Sequence, residues 1–434
     1  MFDLEAKKKA KETALLVGIQ GPETTAADAE ELLTELADLV DTLGLDVVGR
    51  QVVKLREFQS RYLIGQGKAE ELAARMDEEE IDCLIFDDTL SPSQQRNWEE
   101  LTKRCAIDRQ EVILEIFAEH ATTREAVLQV GLARMEYSLP RLKRAWTHLS
   151  RQRGGAKGTR GKGETQLESD RRMVLTKIDR LKGELVDVQK ARQTRRKRRE
   201  KVPVPVAAIV GYTNAGKSSL LNRLTQADVL VEDKLFATLD ATTRRIRLEN
   251  QPLLLSDTVG FVRKLPHGLI EAFKSTLEEA VLADFLIHVL DVTSEHVATH
   301  EKTTLEVLEE LGAHEKPMIT VFNKIDRLQD PDKLILLRAS HPGAIYLSAK
   351  SGEGLDLLRR EMSARLRGAL LQLSLRIPAE RYDLVSQLHR QATVLSEEHH
   401  GAGIDLVVLL APKLVAPFEA FLRVDPDETR HDAA

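Results

Sequence analysis

The chain has 434 residues with a net charge of −6, a length that predicts two to four domains, each with a core of its own. Its only two cysteines, Cys83 and Cys105, exclude a disulfide scaffold and a cysteine-based zinc site. Because no apolar run reaches the roughly 18 residues of a membrane span, we expect no span and a cytoplasmic protein, with partial membrane association as an open alternative.

Residues 1–124 alternate short apolar runs with amphipathic stretches, which favours an α/β domain with a largely parallel sheet. A G-x-G turn at 65–67 precedes a predicted helix, as a phosphate loop does. It lacks the third glycine of a dinucleotide fingerprint, and a tight strand-to-helix turn explains it equally well. The predicted strands are 14–19, 46–53, 61–65 and 82–88, and the predicted helices are 25–43, 68–79 and 92–104.

Two stretches of helical apolar periodicity, separated by a glycine-rich break, predict an antiparallel coiled-coil hairpin over residues 125–201. Pro140 lies inside the first stretch, so that helix is expected to be kinked or to begin there. From Tyr137 to Gly163 there are eight bases and no acid, and glycine-rich basic segments of this kind often fold on RNA. A second basic cluster at 190–201 is explained either by the same surface or by a solvated helix face. The predicted RNA-binding residues are Arg151, Arg153, Lys157, Arg160 and Lys162.

A Val-Pro-Val-Pro linker opens a second α/β alternation, which we assign to residues 202–368. Its sequence GYTNAGKS fits the G-x4-G-K-S phosphate loop, after a predicted strand at 206–210 and before a helix. In this motif backbone N–H groups surround the β-phosphate, the lysine reaches the β- and γ-phosphates, and the serine binds Mg²⁺. The predicted phosphate-site residues are Gly211, Tyr212, Thr213, Asn214, Ala215, Gly216, Lys217 and Ser218.

The sequence Asp-Thr-Val-Gly follows a predicted strand at 252–256. Asp257 is expected to hold Mg²⁺ through water, while Gly260 offers its N–H to the γ-phosphate and makes the next segment a nucleotide-sensing switch. A threonine between this motif and the phosphate loop should complete the Mg²⁺ coordination. We choose Thr238, with Thr242 and Thr243 as alternatives. The predicted contacts of the two segments are Phe236, Ala237, Thr238, Leu239, Asp240, Asp257, Thr258, Val259 and Gly260.

The sequence Asn-Lys-Ile-Asp follows a predicted strand at 317–322 and indicates guanine. The carboxylate of Asp326 can accept two hydrogen bonds from guanine, whereas adenine would leave this acid unpaired, so GTP is preferred over ATP. Asn323 is expected to contact N7, and the Lys324 stem to cover the base. A later Ser-Ala-Lys sequence should place backbone N–H groups near guanine O6. The predicted base-site residues are Asn323, Lys324, Ile325, Asp326, Ser348, Ala349 and Lys350.

Phe261 stands where many GTPases have a glutamine that orients the attacking water. Phenylalanine neither donates nor accepts a hydrogen bond, so we expect slow intrinsic hydrolysis that a cation or a partner accelerates. Asn214 is a candidate to hold K⁺ beside the phosphates, although a purely loop-shaping asparagine explains it equally well. The residues expected to carry turnover are Lys217, Thr238 and Gly260.

Residues 369–434 predict a small α+β module, with strands at 371–378 and 404–412 around a helix at 379–396. The predicted fold is therefore α/β: a P-loop GTPase domain, preceded by an α/β domain with a helical hairpin and followed by this module.

These motifs resemble those of the HflX family of ribosome-associated GTPases over roughly residues 10–365. The resemblance rests on GYTNAGKS, FATLD, DTVGF, NKID and SAK, on the preceding GGAKGTRGKGETQLESDRR, and on RYLIGQGK. Phe261 agrees with this group, which has a hydrophobic residue after D-x-x-G. The resemblance implies GTP-dependent binding to the large (50S) ribosomal subunit and its rRNA, and splitting or rescue of stalled or idle ribosomes, often under heat stress. Two alternatives stay open, namely a subunit-assembly GTPase and a regulatory GTP-binding module without stimulated turnover; a monomer is expected.

Overall fold

The computed structural model describes residues 12–22, 24–142, 163–199, 204–225, 236, 242–248, 251–264, 277, 279–368, 371–401, 403–410 and 414–423. By its internal contacts the chain divides into two units. The first comprises Met1–Val188, Val231–Asp240 and Val259–Thr276, and the second comprises the remaining segments. Of the two segments predicted to sense the γ-phosphate, the described residues Phe236 and 259–264 lie in the first unit.

The first unit contains a four-stranded parallel sheet with the strand order β2-β1-β3-β4. All four residues of its central strand Cys83–Phe86 are buried, as expected for a parallel strand covered on both faces. The strands are β1 Thr13–Gln20, β2 Asp46–Lys54, β3 Cys83–Phe86 and β4 Cys105–Asp108. The helices are α1 Ala26–Thr42, α2 Gln66–Glu78, α3 Pro92–Thr102, α4 Arg109–His120, α5 Arg124–Ser138 and α6 Gly163–Arg199.

The predicted strand at 61–65 is wrong. These residues form a loop with local bridges, in which Leu63 adopts the left-handed conformation at a φ of 68°. They are apolar because the loop is packed into the core: Tyr62 is buried, and Trp98 Nε1 donates to its carbonyl at 2.9 Å. Gly65 is the N-cap of α2, which agrees with the tight turn that was one of the two interpretations of the G-x-G sequence.

Helix α5 ends at Ser138, and Pro140 lies in the 3-10 turn Leu139–Arg141 that follows it. Ile178 is the most buried residue of the predicted α6 stripe, and a Cβ added at Gly131 of α5 would lie 3.9 Å from the Leu181 side chain. The two helices therefore pack through apolar residues, as the periodicity predicts. Residues 143–162, which include every predicted RNA-binding residue, lie outside the described part of the chain. None of the helices in the described ranges is long and apolar enough to cross a membrane.

The second unit contains a six-stranded sheet with the order β10-β9-β8-β5-β7-β6, in which only β6 pairs antiparallel. The carboxyl ends of its parallel strands meet at one edge, the place where open α/β sheets bind ligands. Its strands are β5 Val206–Gly211, β6 Thr243–Leu248, β7 Gln251–Asp257, β8 Phe285–Asp291, β9 Met318–Asn323 and β10 Ile345–Tyr346. The helices that accompany them are α7 Lys217–Thr225, α8 Val297–Glu310, α9 Pro331–Ser340 and α10 Leu355–Gly368.

The C-terminal module is a three-stranded antiparallel sheet of order β11-β13-β12. The predicted helix at 379–396 is too long, because residues 393–400 form an edge strand that pairs with β13. This strand is rich in exposed glutamate and histidine, and edge strands carry such polar residues, so its sequence gives no clear apolar alternation. The elements are β11 Leu371–Ile377, α11 Tyr382–Gln391, β12 Thr393–His400 and β13 Gly403–Leu410.

A buried polar cluster lies where α5 meets β4 and α4. Asp108 is fully buried, and its Oδ1 accepts hydrogen bonds from the Glu111 amide at 3.0 Å and from the Tyr137 hydroxyl at 2.9 Å. The same hydroxyl lies 3.3 Å from Glu111 Oε2. A phenol has one hydrogen, so while Asp108 accepts it Glu111 can bond to the phenol oxygen only when protonated. Accordingly, burial and the neighbouring Asp108 raise the pKa of Glu111 to about 7.

Glu111→Gln should stabilise the protein at pH 8, by on the order of 1–3 kcal/mol, and leave its stability at pH 4 nearly unchanged. The folded pKa lies above the ordinary value of 4.5, so the folded state holds the proton more tightly than the unfolded state. The parent's free energy of unfolding therefore falls as pH rises from 4.5 to about 7 and then levels off. Urea unfolding of both proteins at the two pH values checks this, and an equal difference at both would contradict it.

Candidate functional site

The loop between β5 and α7 has the backbone of a phosphate loop. Gly211 and Gly216 have φ values of 146° and 91°, where a side chain is strained. A Cβ on Gly211 would lie 2.2 Å from the Val289 carbonyl oxygen, and one on Gly216 would lie 2.2 Å from Asn323 Nδ2. Both positions thus require glycine. Asn214, exposed and at a φ of 57°, has the left-handed conformation that asparagine tolerates in turns, while its proposed K⁺ contact stays a prediction.

The predicted phosphate-binding lysine is turned into this loop. Lys217 is buried at the start of α7, and its Nζ donates to the Tyr212 carbonyl oxygen at 2.7 Å. Burial lowers the pKa of Lys217 to about 8, with Lys324 acting in the same direction and Asp257 opposing both. A cation with so little water around it is well suited to bind a phosphate oxygen.

Two of the three residues predicted at the Mg²⁺ site, Ser218 and Asp257, are brought together, and the third, Thr238, lies outside the described residues. Ser218 Oγ donates to Asp257 Oδ2 at 2.6 Å, and Asp257 is buried at the end of β7. A hydroxyl and a carboxylate are hard oxygen donors of the type that Mg²⁺ takes, so these residues fit the ion. Thr258 Oγ1 donates to the Ile209 carbonyl oxygen at 2.8 Å, which ties the Asp-Thr-Val-Gly sequence to β5.

Asn323 braces the site in a way that the sequence analysis missed. Its Nδ2 donates to the Ala215 carbonyl oxygen, and its Oδ1 accepts from the Ala349 amide, both at 2.9 Å. One buried side chain thus joins the phosphate loop to the Ser-Ala-Lys loop. The amide nitrogen has a second hydrogen, and its contact with N7 stays a prediction, as does that of Ala349 with O6.

The other base-site residues lie around this brace. Lys324 has a φ of 68°, and its Nζ lies 2.8 Å from Asp291 Oδ2, so its stem is held by an ion pair. Asp291 is the last residue of β8. Its position at the end of a strand is the only feature of the sequence that indicates a role for this carboxylate in the site. Asp326 is exposed in the 3-10 turn Ile325–Arg327, open to a ligand. The other predicted base-site residues Ile325, Ser348 and Lys350 lie beside these in sequence.

Tyr212 has a stacking partner that the sequence analysis did not assign. The His300 ring of α8 lies parallel to the Tyr212 ring, with centroids 3.8 Å apart and an angle of 9°. The stack holds the second residue of the phosphate loop against a helix that follows it by 88 positions, which no local pattern indicates.

The two predicted switch segments are only partly described. Ala237, Thr238, Leu239 and Asp240 lie outside the described residues, whereas Phe236 is buried and packs edge-on against Phe117 with centroids 4.7 Å apart. Phe261, after Val259 and Gly260, is 1% exposed. The side chains of Phe236 and Phe261 are therefore core residues.

An ion-pair cluster lies three residues beyond Gly260, within the first unit, and its buried members are Asp87 and Arg109. Lys264 Nζ lies 2.6 Å from Asp87 Oδ2 and 2.8 Å from Asp88 Oδ1. Although burial opposes it, the two carboxylates raise the pKa of Lys264. Arg109 pairs with the other oxygen of Asp87 at 2.7 Å. The members of this ion-pair cluster are Glu31, Glu35, Asp87, Asp88, Arg109, Arg263 and Lys264.

Arg263 pairs with the other half of the ion-pair cluster. Its guanidinium lies 2.7 Å from Glu31 Oε1 and 3.3 Å from Glu35 Oε2, and Glu35 also pairs with Arg109. Glu31 and Glu35 are one turn apart on α1, so they lie on the same face of that helix. The neighbouring residues Arg263 and Lys264 thus pair with carboxylates on α1 and at the carboxyl end of β3.

Four family models match the chain in succession. Residues 30–118 match "GTP-binding GTPase N-terminal", residues 120–199 "GTP-binding GTPase Middle Region", residues 206–324 "50S ribosome-binding GTPase", and residues 334–428 "HflX C-terminal domain". The matches follow the order of the elements described above. They cover the phosphate loop, the base-site residues and the C-terminal sheet.

Two curated relatives are similar over almost their whole length. The GTPase HflX of Akkermansia muciniphila is 47% identical over 434 residues, covering 97% of this chain and 99% of its own. That of Escherichia coli K12 is 41% identical and covers 92% of each chain. A crystal structure of a GTP-binding protein from Sulfolobus solfataricus in complex with GDP is 27% identical, with a TM-score of 0.44, over 82% of this chain and 98% of the other.

Asn323→Ala should weaken GTP binding roughly 5–150-fold, because two buried groups lose their hydrogen bonds at about 1–3 kcal/mol in total. Fluorescence titration with GTP and with 7-deaza-GTP, which lacks N7, separates bracing from base contact. If bracing dominates, the substitution weakens both nucleotides equally. If the parent binds 7-deaza-GTP more weakly than GTP and the variant binds both alike, the N7 contact carries the role instead. Asn222→Ala, which removes a half-buried amide from α7, serves as the control.

Proposed function

Because the chain belongs to the HflX family of GTPases, we propose that its GTP-bound form binds the large (50S) ribosomal subunit and splits or rescues stalled or idle ribosomes. Hydrolysis of GTP to GDP and phosphate then ends the interaction. The observation that carries this proposal is the match of residues 206–324 to a 50S ribosome-binding GTPase family. We propose that a monomer acts in this way in the cytoplasm, under stress such as heat.

The residues of the phosphate loop and β7 have separate roles in this proposal. Lys217, whose amine already lies against the loop, neutralises charge on the β- and γ-phosphates. Ser218 and Thr238 would bind Mg²⁺, with Asp257 holding the ion through water, and the ion would supply positive charge to the phosphate oxygens. Thr238 and Gly260 respond to the γ-phosphate. These roles rest on the motifs and on the geometry within the second unit.

Phe261 makes stimulated turnover part of the proposal. Its buried ring neither donates nor accepts a hydrogen bond, so the residue after Gly260 does not orient the attacking water. Another group must therefore orient the attacking water and stabilise the charge of the transition state, and we propose that the ribosome is the main source of this group. A K⁺ ion beside Asn214 is the second source.

We propose that the nucleotide state reaches the N-terminal unit through the ion-pair cluster. Only two residues separate Gly260 from Arg263, so a change in the Gly260 backbone moves the start of the charged segment. Arg263 pairs with a carboxylate on α1, and Lys264 pairs with a carboxylate at the end of β3. Both elements belong to the unit that also contains α5. In this way GTP and GDP favour different conformations of the segment after Gly260, which contains Arg263 and Lys264.

The basic segment supplies the contact with RNA in this proposal. Arg151, Arg153, Lys157, Arg160 and Lys162 lie in a stretch with no acid, which suits the phosphate backbone of rRNA. The acidic net charge of −6 for the whole chain argues against binding over a broader surface. We therefore expect the contact with rRNA to be concentrated in this basic segment.

Ribosomes should increase the GTP turnover rate of the full-length protein at least tenfold, and potassium should increase it above the rate in sodium. Phosphate release is measured with and without purified ribosomes in the two buffers, and Lys217→Ala, which should not bind GTP tightly, sets the background. If ribosomes stimulate turnover equally in potassium and in sodium, the proposed role of K⁺ is wrong and the ribosome alone is the activator.

Sedimentation of ribosomes after incubation with the protein separates the alternatives. A splitting factor converts 70S particles to subunits with GTP or a non-hydrolysable analogue, whereas an assembly factor associates with precursor particles and leaves 70S particles intact. A regulatory binding module shows neither splitting nor stimulated turnover. Either of the last two results would overturn the splitting and rescue proposal without affecting the nucleotide site.

A further inference from the structure

The hydroxyl of Thr213 is a buried polar group inside the phosphate loop. Thr213 is 6% exposed, and its Oγ1 has no hydrogen-bond partner among the residues that the structure describes. Most buried side-chain oxygen atoms in folded proteins have at least one partner, because burial of a hydroxyl without one costs free energy. An exception of this kind within a ligand-binding loop indicates a group that forms its hydrogen bond with the ligand.

The covalent structure of the loop places this hydroxyl beside the amine that we assign to the terminal phosphates. Lys217 Nζ donates to the Tyr212 carbonyl oxygen at 2.7 Å. That carbonyl belongs to the peptide unit that joins Tyr212 to Thr213, and a peptide unit is planar and rigid. The Lys217 amine therefore lies against the residue that carries the buried hydroxyl.

The residues on both sides of Thr213 restrict its position. The Tyr212 ring is stacked on the His300 ring with centroids 3.8 Å apart. Asn214 is exposed and has a φ of 57°, so the chain turns directly after Thr213. Because a side chain that is already fixed loses little conformational freedom when it bonds to a ligand, this hydroxyl is preorganised for binding.

We propose that the Thr213 hydroxyl donates a hydrogen bond to a γ-phosphate oxygen, so that the phosphate loop itself distinguishes GTP from GDP. The proposal rests on the roles proposed above for the phosphate loop, and it does not depend on ribosome binding. A hydroxyl donates one hydrogen, and an ionised phosphate oxygen is a strong acceptor. GDP lacks the γ-phosphate, so the contact is made in the GTP-bound state alone.

Substitutions at this position separate the hydroxyl from the shape of the side chain. Thr213→Val replaces the hydroxyl by a methyl group at nearly the same volume, and Thr213→Ser keeps the hydroxyl. The matched control is Thr304→Val. Thr304 is fully buried on α8 in the same unit, and its Oγ1 donates to the His300 carbonyl oxygen at 2.9 Å. This control removes a buried hydroxyl that has a protein partner and lies outside the phosphate loop.

Fluorescence titration of the full-length protein, in the presence of Mg²⁺, compares GDP with a non-hydrolysable GTP analogue. We expect Thr213→Val to raise Kd for the analogue about 10–150-fold, which corresponds to one hydrogen bond to a charged group, and to leave Kd for GDP unchanged. Thr213→Ser and Thr304→Val should keep the parent's preference for the analogue. An equal loss for both nucleotides in Thr213→Val, or no loss for the analogue, would overturn the proposal.

Thermal unfolding without nucleotide provides a second readout. Because no described residue pairs with the Thr213 hydroxyl, Thr213→Val should leave Tm unchanged or raise it, whereas Thr304→Val should lower it. A lower Tm in Thr213→Val would mean that the hydroxyl has a structural role, and would overturn the proposal. If the parent binds neither nucleotide, the assigned site and this proposal both fail. A parent that binds both nucleotides but does not split ribosomes would contradict only the function proposed above.

Discussion

The pairing of Arg263 and Lys264 with carboxylates of the N-terminal unit is the constraint on which the account of this protein depends. It places the segment after Gly260 in the same unit as α1 and β3. The pair of Arg109 with Asp87 is buried, whereas Lys264 reaches Asp87 from an exposed position. With Arg109, three cations oppose four carboxylates, and the ion-pair cluster depends on every cation.

The second constraint is the brace at Asn323, which lies wholly in the second unit. It holds the phosphate loop and the Ser-Ala-Lys loop at a fixed separation through two hydrogen bonds of a buried amide. The predicted phosphate and base loops are therefore joined to one another within the second unit. The described contacts of Arg263 and Lys264 lie within the first unit. In the function that we propose, this difference in contacts lets the segment after Gly260 respond to the nucleotide.

Most of the fold followed from local patterns in the sequence. Apolar runs predicted the parallel strands of both α/β sheets. The G-x4-G-K-S spacing predicted a loop in which the close approach of Val289 and Asn323 leaves room only for glycine. The loop at 61–65 and the edge strand at 393–400 were misassigned. The loop at 61–65 is apolar because its side chains pack into the core, so its sequence looks like that of a strand. The strand at 393–400 carries polar side chains because it lies at an exposed sheet edge, so its sequence does not look like that of a strand. Tertiary packing decided both.

The contacts that matter most for function had no local signature. Lys264 and Asp87 are 177 positions apart, and nothing in the sequence around either residue indicates the other. Arg141 is one of the eight bases between Tyr137 and Gly163, and nothing in the sequence indicates that its guanidinium donates to Gln95 and to the Leu90 carbonyl oxygen.

Hydrogen exchange of the full-length protein with GDP and with a non-hydrolysable GTP analogue tests the central claim most directly. The account predicts that the analogue changes the protection of peptides containing Glu31, Glu35, Asp87 and Asp88, and that Lys264→Gln abolishes this change while GTP affinity is kept. A nucleotide-dependent change confined to the phosphate loop and the base site, with identical protection of α1 and the end of β3 in both states, would contradict it.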